Sequence, residues 1–274
     1  MTTVYRSEAG GRTVREHYRA MLDRWPVDAE QRTLTTRAGD TFVVINGPVD
    51  APPVIALHGS GGNSSTWLAD IATWAPHLRV FAVDLIGEPG LSAPSRPPLG
   101  SPDYADWLDD VLDGLGLTTA AVVGMSLGGW IAVDYATRRP DRVTRLALLG
   151  PTGIGRRKVG WLVRALPFFA LGHWGRLRIV RIVAGADVGE YREVIASTFR
   201  HFKPRVEFPA FDDGVLCLLR MPTLVVVGGR DAMLDSRETV RRLAATVPHA
   251  DVRLLPGVGH FIPGQADAVL EFLR

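Results

Sequence analysis

The stretch that decides the fold is AAVVGMSLGGW, residues 120–130. An apolar run, AAVVGM, stops at Gly124-Met125-Ser126-Leu127-Gly128, and residues 127–138 then read as a helix. A serine between two glycines, where a strand passes into a helix, fits the G-x-S-x-G pattern of a nucleophile elbow. In such a turn the serine adopts a strained backbone angle. The positions two before and two after it must be nearly bare, because the flanking turns cross there. The helix start behind the serine presents free N–H groups and positive potential, which favour an anion nearby. A plain strand-to-helix turn would also use the glycines but has no need of the serine.

Working outward, further apolar runs end in glycine or at a turn: PVIALHG (53–59), RVFAVDL (79–85), VTRLALLG (143–150), TLVVVGG (223–229) and DVRLLPG (251–257). Strands apolar on both faces belong in a covered parallel sheet. RTLTTRAGDTFVVING (32–47) reads as a hairpin around Ala38-Gly39-Asp40, and residues 14–25 as a helix ahead of the main fold. Between the runs lie helical patterns. Over 102–115, Tyr104, Trp107, Leu108, Val111, Leu112 and Leu115 fall on one helical face. Alternating strands and helices predict an α/β architecture with a mostly parallel central sheet flanked by helices. Residues 151–219 break the rhythm with an aromatic-rich stretch far longer than a crossover helix needs. It reads as a helical cap inserted after the sixth strand, between core segments 1–150 and 220–274.

Composition narrows the class. The chain has 274 residues, 46% hydrophobic and 22% charged, with a formal net charge of +2. Those values suit a globular chain and call for neither nucleic acid nor an anionic membrane. Cys217 is the one cysteine, so no internal disulfide can form. The polar start MTTVYRSEAGGRTVREHY has no apolar h-region, and no run of about 18 apolar residues appears, so neither a signal peptide nor a membrane span is expected. A cytoplasmic location is the simplest expectation. The oligomeric state stays open.

A serine hydroxyl needs a base. His260, in LLPGVGHFIPG, follows the last strand in a glycine-rich loop at the carboxyl edge of the sheet. His17, His77, His173, His201 and His249 lie on helices, in the cap or between strands, and His58 reads as shaping its turn. Asp231, just past the strand at 223–229, is positioned to orient the imidazole, and Asp235 competes for that role. A loop aspartate there could equally cap the helix at 236–246. The chain order Ser126, Asp231, His260 is the one this kind of elbow uses. The loop LHGSGGNSSTW (57–67) supplies glycines that let backbone N–H groups turn toward the serine. Leu127 and Ser60 are the expected oxyanion donors, with Gly61 the alternative to Ser60. It lacks the G-K-[ST] of a phosphate loop. Gly61, Trp67, Met125, Trp161, Phe168, Phe169 and Phe261 are candidates for lining the pocket.

Taken together, HGSGG, DLIGEPGLS (84–92), GMSLGG, GGRD and GH resemble the α/β-hydrolase superfamily over roughly residues 40–274. LDRWPVDAEQRTLTTRAGDTFVVINGPVDAPPVIALHG, SPDYADWLDDVLDGLGL and VVGMSLGGW are similar to bacterial carboxylesterases that cleave naproxen esters. The resemblance implies the α/β-hydrolase fold and a serine esterase that uses Ser126, Asp231 and His260 as its triad. It implies a small-molecule ester as substrate and no metal or organic cofactor. A thioesterase, a lactonase, a C–C hydrolase or a natural-product tailoring enzyme could carry the same triad. A binding protein on a hydrolase fold is the reading from another class.

Arg156, Arg157, Lys158, Arg164, Arg176, Arg178 and Arg181 crowd the cap, with no acidic residue from 151 to 186. A solvated helix face accounts for such a run. So would attraction of acidic substrates, an acidic carrier protein or an anionic membrane surface.

Overall fold

In this computed structural model, the structure describes residues 4–185, 189, 191–205 and 207–274. The eight strands are β1 (Ala29–Thr36), β2 (Gly39–Asn46), β3 (Pro53–Leu57), β4 (Arg79–Val83), β5 (Ala120–Met125), β6 (Val143–Leu149), β7 (Thr223–Gly228) and β8 (Asp251–Leu255). They form one sheet in the order β1-β2-β4-β3-β5-β6-β7-β8. β1 and β2 form the expected hairpin, which joins β4 antiparallel; every later pairing is parallel. This is the mostly parallel sheet that the apolar runs predict. The central strands β3, β5 and β7 are almost wholly buried, whereas β8, at the edge, is largely accessible. An edge strand has one neighbour, so its apolar run is only half covered.

Helices cover the sheet: α1 (Glu8–Leu22), α2 (Leu68–Trp74), α3 (Asp103–Gly114), α4 (Leu127–Arg138), α9 (Ser236–Thr246) and α10 (Ala266–Leu273). α1 begins six residues before the expected helix, because Ser7 caps it by accepting the Gly10 N–H. The glycines at positions 10 and 11 hide that start from a propensity reading, since glycine is a poor helix former. One core lies on each face of the sheet. Trp67, Trp74, Trp107 and Trp130 are wholly buried. Each such burial is worth roughly 2–3 kcal/mol before entropy is counted. Buried indoles need acceptors, and Trp107 and Trp130 donate to Thr41 Oγ1 and the Pro209 carbonyl at 2.8 Å. Among the described residues, no helix is long and apolar enough to cross a membrane.

Residues 150–222, between β6 and β7, carry α5 (Gly160–Ala165), α6 (Gly172–Ala184), α7 (Tyr191–His201) and α8 (Asp213–Leu216). Both ends of this insertion belong to the main core, through Ile154 on one side and Phe211, Leu216, Leu219 and Met221 on the other. α6 ends against the loop after β8, where the Phe261 N–H donates to the Ala184 carbonyl at 3.0 Å. α7 lies over the loop after β3, with the Phe199 ring against Gly61.

Candidate active site

β5 delivers Ser126 to the carboxyl edge of the sheet, and α4 begins at the next residue. Ser126 has φ 50° and ψ −108°, and is the one non-glycine with positive φ among the described residues. Such an angle costs about 1–3 kcal/mol and persists only where neighbours enforce it. Here they do. The Ser126 N–H donates to the Leu149 carbonyl (3.0 Å), and the Ser126 carbonyl accepts from the N–H groups of Trp130 (3.0 Å) and Thr152 (3.2 Å). The Thr152 hydroxyl adds a longer bond at 3.3 Å.

The flanking glycines are required by contact. A Cβ on Gly124 would lie 2.5 Å from the Gly128 carbonyl oxygen. One on Gly128 would overlap the Leu57 carbonyl oxygen and sit 2.6 Å from that of His58. Gly128→Ala should therefore destabilise the fold by about 3 kcal/mol, although alanine in a helix normally gains about 1 kcal/mol over glycine. The collision is with backbone, so it wins. Urea unfolding of the variant against the wild type measures the difference.

His260 and Asp231 converge on the serine. His260 Nε2 lies 3.0 Å from Ser126 Oγ, and Nδ1 lies 2.8 Å from Asp231 Oδ2. Nδ1–H donates to the carboxylate, which leaves the Nε2 lone pair to accept the serine hydroxyl. The Asp231 side chain is 2% exposed and that of His260 14%. The other carboxylate oxygen, Oδ1, accepts the N–H groups of Met233 (2.7 Å) and Leu234 (3.0 Å), which fixes the orientation of the group. Asp235, the competitor, instead caps α9 by accepting the Glu238 N–H. The glycine before His260 is squeezed as well: a Gly259 Cβ would lie 2.5 Å from both the Ala184 carbonyl oxygen and Gly185 Cα, at the end of α6.

The β3 loop closes the other side. A Cβ on Gly59 would lie 3.4 Å from that of Ser126, so Gly59-Ser60 runs alongside the serine. Leu127 opens α4, and its N–H has no acceptor within the helix. The Gly61 N–H is already engaged, donating to Glu88 Oε2 at 2.7 Å. His58 is buried, with Nε2 accepting the Leu85 N–H (2.9 Å) and Nδ1 donating to the Gly59 carbonyl (2.8 Å). Burial holds its pKa below the usual value. It is a turn-shaping residue, neutral and spoken for at both nitrogens.

Glu88, carried by the loop after β4, is the neighbour that sequence reasoning passed over. Its side chain is 1% exposed and accepts the Ser60 hydroxyl (3.1 Å) as well as the Gly61 N–H on the same oxygen. Arg96 stands 3.9 Å from the other oxygen. Burial pushes the carboxyl up to about 7, against the opposing pull of the Gly61 N–H and the Arg96 charge. An acid whose folded pKa is raised lends stability that is full below about 4.5 and lost as pH rises through about 7. Wild-type stability should fall over that window by up to about 3 kcal/mol. Glu88→Gln should flatten the fall, as urea midpoints near pH 5 and pH 8 will register.

The candidate pocket residues fare unequally. Met125 and Gly61 border the serine loop, and Phe261 packs with Val180 and Ala196 beneath the insertion. Trp161 and Phe168 are half-buried in the insertion. Phe169 is 61% exposed on its surface. Trp67 must be corrected: it is 0% exposed and packs on Trp74 at 5.5 Å between ring centroids, in the core. It has no surface to offer a ligand. Phe199, which is not among the pocket candidates, lies against Gly61.

Comparison with known proteins accords with this geometry. The alpha/beta hydrolase family profile matches residues 54–272. The carboxylesterase YbfK of Bacillus subtilis is 31% identical over 258 residues, which cover 89% of this chain and 86% of that one. The crystal structure of naproxen esterase (carboxylesterase NP) from Bacillus subtilis superposes with a TM-score of 0.85 at 28% identity, over 97% of this chain and 96% of that one. That of carboxylesterase CesB (YbfK) gives 0.83 at 29% identity, over 96% of each. Profile, relatives and topology agree, and the chain belongs to the alpha/beta hydrolase family.

Proposed function

We propose that this protein hydrolyses carboxylic esters of small molecules through an acyl-enzyme on Ser126. The observation that carries the reading is the unbroken chain Ser126 Oγ–His260–Asp231, with a strained serine at its head. The carboxylesterase relatives support the choice of an ester.

His260 Nε2 takes the hydroxyl proton as Ser126 Oγ attacks the ester carbonyl carbon. Asp231 keeps the imidazole in the Nδ1–H tautomer and steadies the imidazolium that forms. The carbonyl π pair moves to oxygen, and that oxyanion is received by the N–H groups of Leu127 and Ser60. Ser60 is chosen over Gly61 because the Gly61 N–H already donates to Glu88. Each oxyanion donor is worth about 3–4 kcal/mol in the transition state. Collapse expels the alkoxide, which takes the proton from His260 and leaves as the alcohol. Water, deprotonated by the same Nε2, then attacks the acyl-serine; the second tetrahedral species releases the acid and returns the proton to Ser126.

The acyl or alcohol portion faces apolar groups, with Met125, Phe199 and Phe261 nearest the reacting loops. A fluorophosphonate probe tests the reading: the wild type should label rapidly at Ser126, with parallel turnover of short p-nitrophenyl esters. A protein that resists the probe, or turns over thioesters or lactones to the exclusion of esters, overturns it.

A further inference from the structure

α5 is built the wrong way round for a soluble helix. Of its six residues only Ala165 is buried, while Val163 is 74% exposed and Leu162 43%. The inversion continues along the chain: Leu166, Phe169, Leu171 and Trp174 are 69%, 61%, 49% and 51% exposed. Seven of the eleven large apolar side chains exposed among the described residues fall between 159 and 174. Scattered exposed apolar groups need no explanation, but a contiguous patch marks an interaction surface.

The charge along the segment itself is of one sign. Residues 151–186 contain seven basic side chains and no acid. Arg178 lies over the Trp174 ring at 4.9 Å, and Arg164 projects from α5 itself and is exposed. Arg164, Arg176, Arg178 and Arg181 form no ion pair among the described residues. Among the described residues, Glu193 pairs with His173, within the patch, at 3.2 Å and Glu238 with Arg156 at 2.7 Å. A surface that accepts apolar side chains at its boundary and cations at its phosphates satisfies both halves of the patch.

We propose that residues 159–178 form a peripheral docking surface for anionic lipid bilayers. The aliphatic and aromatic side chains enter the boundary between headgroups and acyl chains, and the arginines contact lipid phosphates. This proposal does not rest on the hydrolytic reading, since its test reads vesicle binding and its variants leave Ser126, His260 and Asp231 in place.

Sedimentation of the full chain with large vesicles tests it. The wild type should pellet with phosphatidylglycerol–phosphatidylcholine vesicles and stay in solution with pure phosphatidylcholine, and salt should weaken the binding. Val163→Ser/Leu166→Ser and, separately, Arg164→Glu/Arg178→Glu should each weaken anionic vesicle binding about tenfold or more. These side chains are exposed, and a melting curve for each variant verifies the fold. Wild-type protein that ignores anionic vesicles overturns the proposal. So does binding indifferent to both double variants, or a dimer that the same substitutions dissolve in a protein that leaves vesicles alone.

Discussion

Ser126→Ala is expected to lower kcat for a short p-nitrophenyl ester by about ten-thousand-fold or more, with the fold unchanged. The substitution removes one oxygen and keeps the Cβ. The contact between that Cβ and the Gly59 turn therefore persists, as do the backbone bonds from Leu149, Trp130 and Thr152 that hold the turn. Only the hydroxyl that bonds to His260 Nε2 is lost. What remains is the oxyanion pocket and apolar binding, which accelerate hydrolysis over water but form no acyl-enzyme. Steady-state kinetics and a melting curve on the same preparation check both halves. A variant that keeps wild-type rates ends the proposed mechanism.

Asp231→Asn should cost nearly as much, about ten-thousand-fold in kcat, for a different reason. The amide cannot choose its orientation freely. Asp231 Oδ1 accepts the N–H groups of Met233 and Leu234, so the amide oxygen must take that place. Its NH2 group then faces His260 Nδ1. Nδ1 becomes an acceptor, the ring proton moves to Nε2, and Nε2 presents a donor to Ser126 where a base is needed. Geometry survives while the tautomer is wrong. KM should change little, kcat should collapse, and fluorophosphonate labelling should slow in proportion. An Asp231→Asn enzyme within about tenfold of wild type would show that the imidazole is oriented by something else.

How far the sequence alone reaches depends on the range of the cause. The strands are legible because apolar runs such as VIAL (54–57), ending at a glycine or a turn, encode burial on both faces locally; β3, β5, β6 and β7 fall where those runs lie. Ser126, Asp231 and His260 were legible because each follows a strand end, and a parallel sheet gathers its carboxyl ends along one edge. Glu88 was not. Its meaning comes from its bonds to Ser60 and Gly61, 28 and 27 residues away, and a lone glutamate before a proline signals nothing by itself. Trp67 misled for the converse reason: nearness to the glycine loop in sequence says nothing about which side of the loop its indole takes. The insertion resisted reading most. α5 exposes the residues that a periodicity argument buries, so pattern alone cannot set its facing.

The segment before α1 ties a distant wall of the pocket to the start of the chain. Tyr5 bridges Phe202, the Arg6 N–H donates to the His201 carbonyl (2.7 Å), the Lys203 N–H donates to that of Val4 (2.9 Å), and Gly10 leaves room for the His201 ring. The helix that carries Phe199 over the serine loop is thus anchored by a strap almost two hundred residues upstream in sequence. Loss of that strap would remove the backbone bonds that hold the end of α7 and leave the helix to its packing on α6, through Ala196 and Val180. A fusion partner or peptide tag placed ahead of Val4 would therefore bear on the end of the helix that carries Phe199, far from it in sequence.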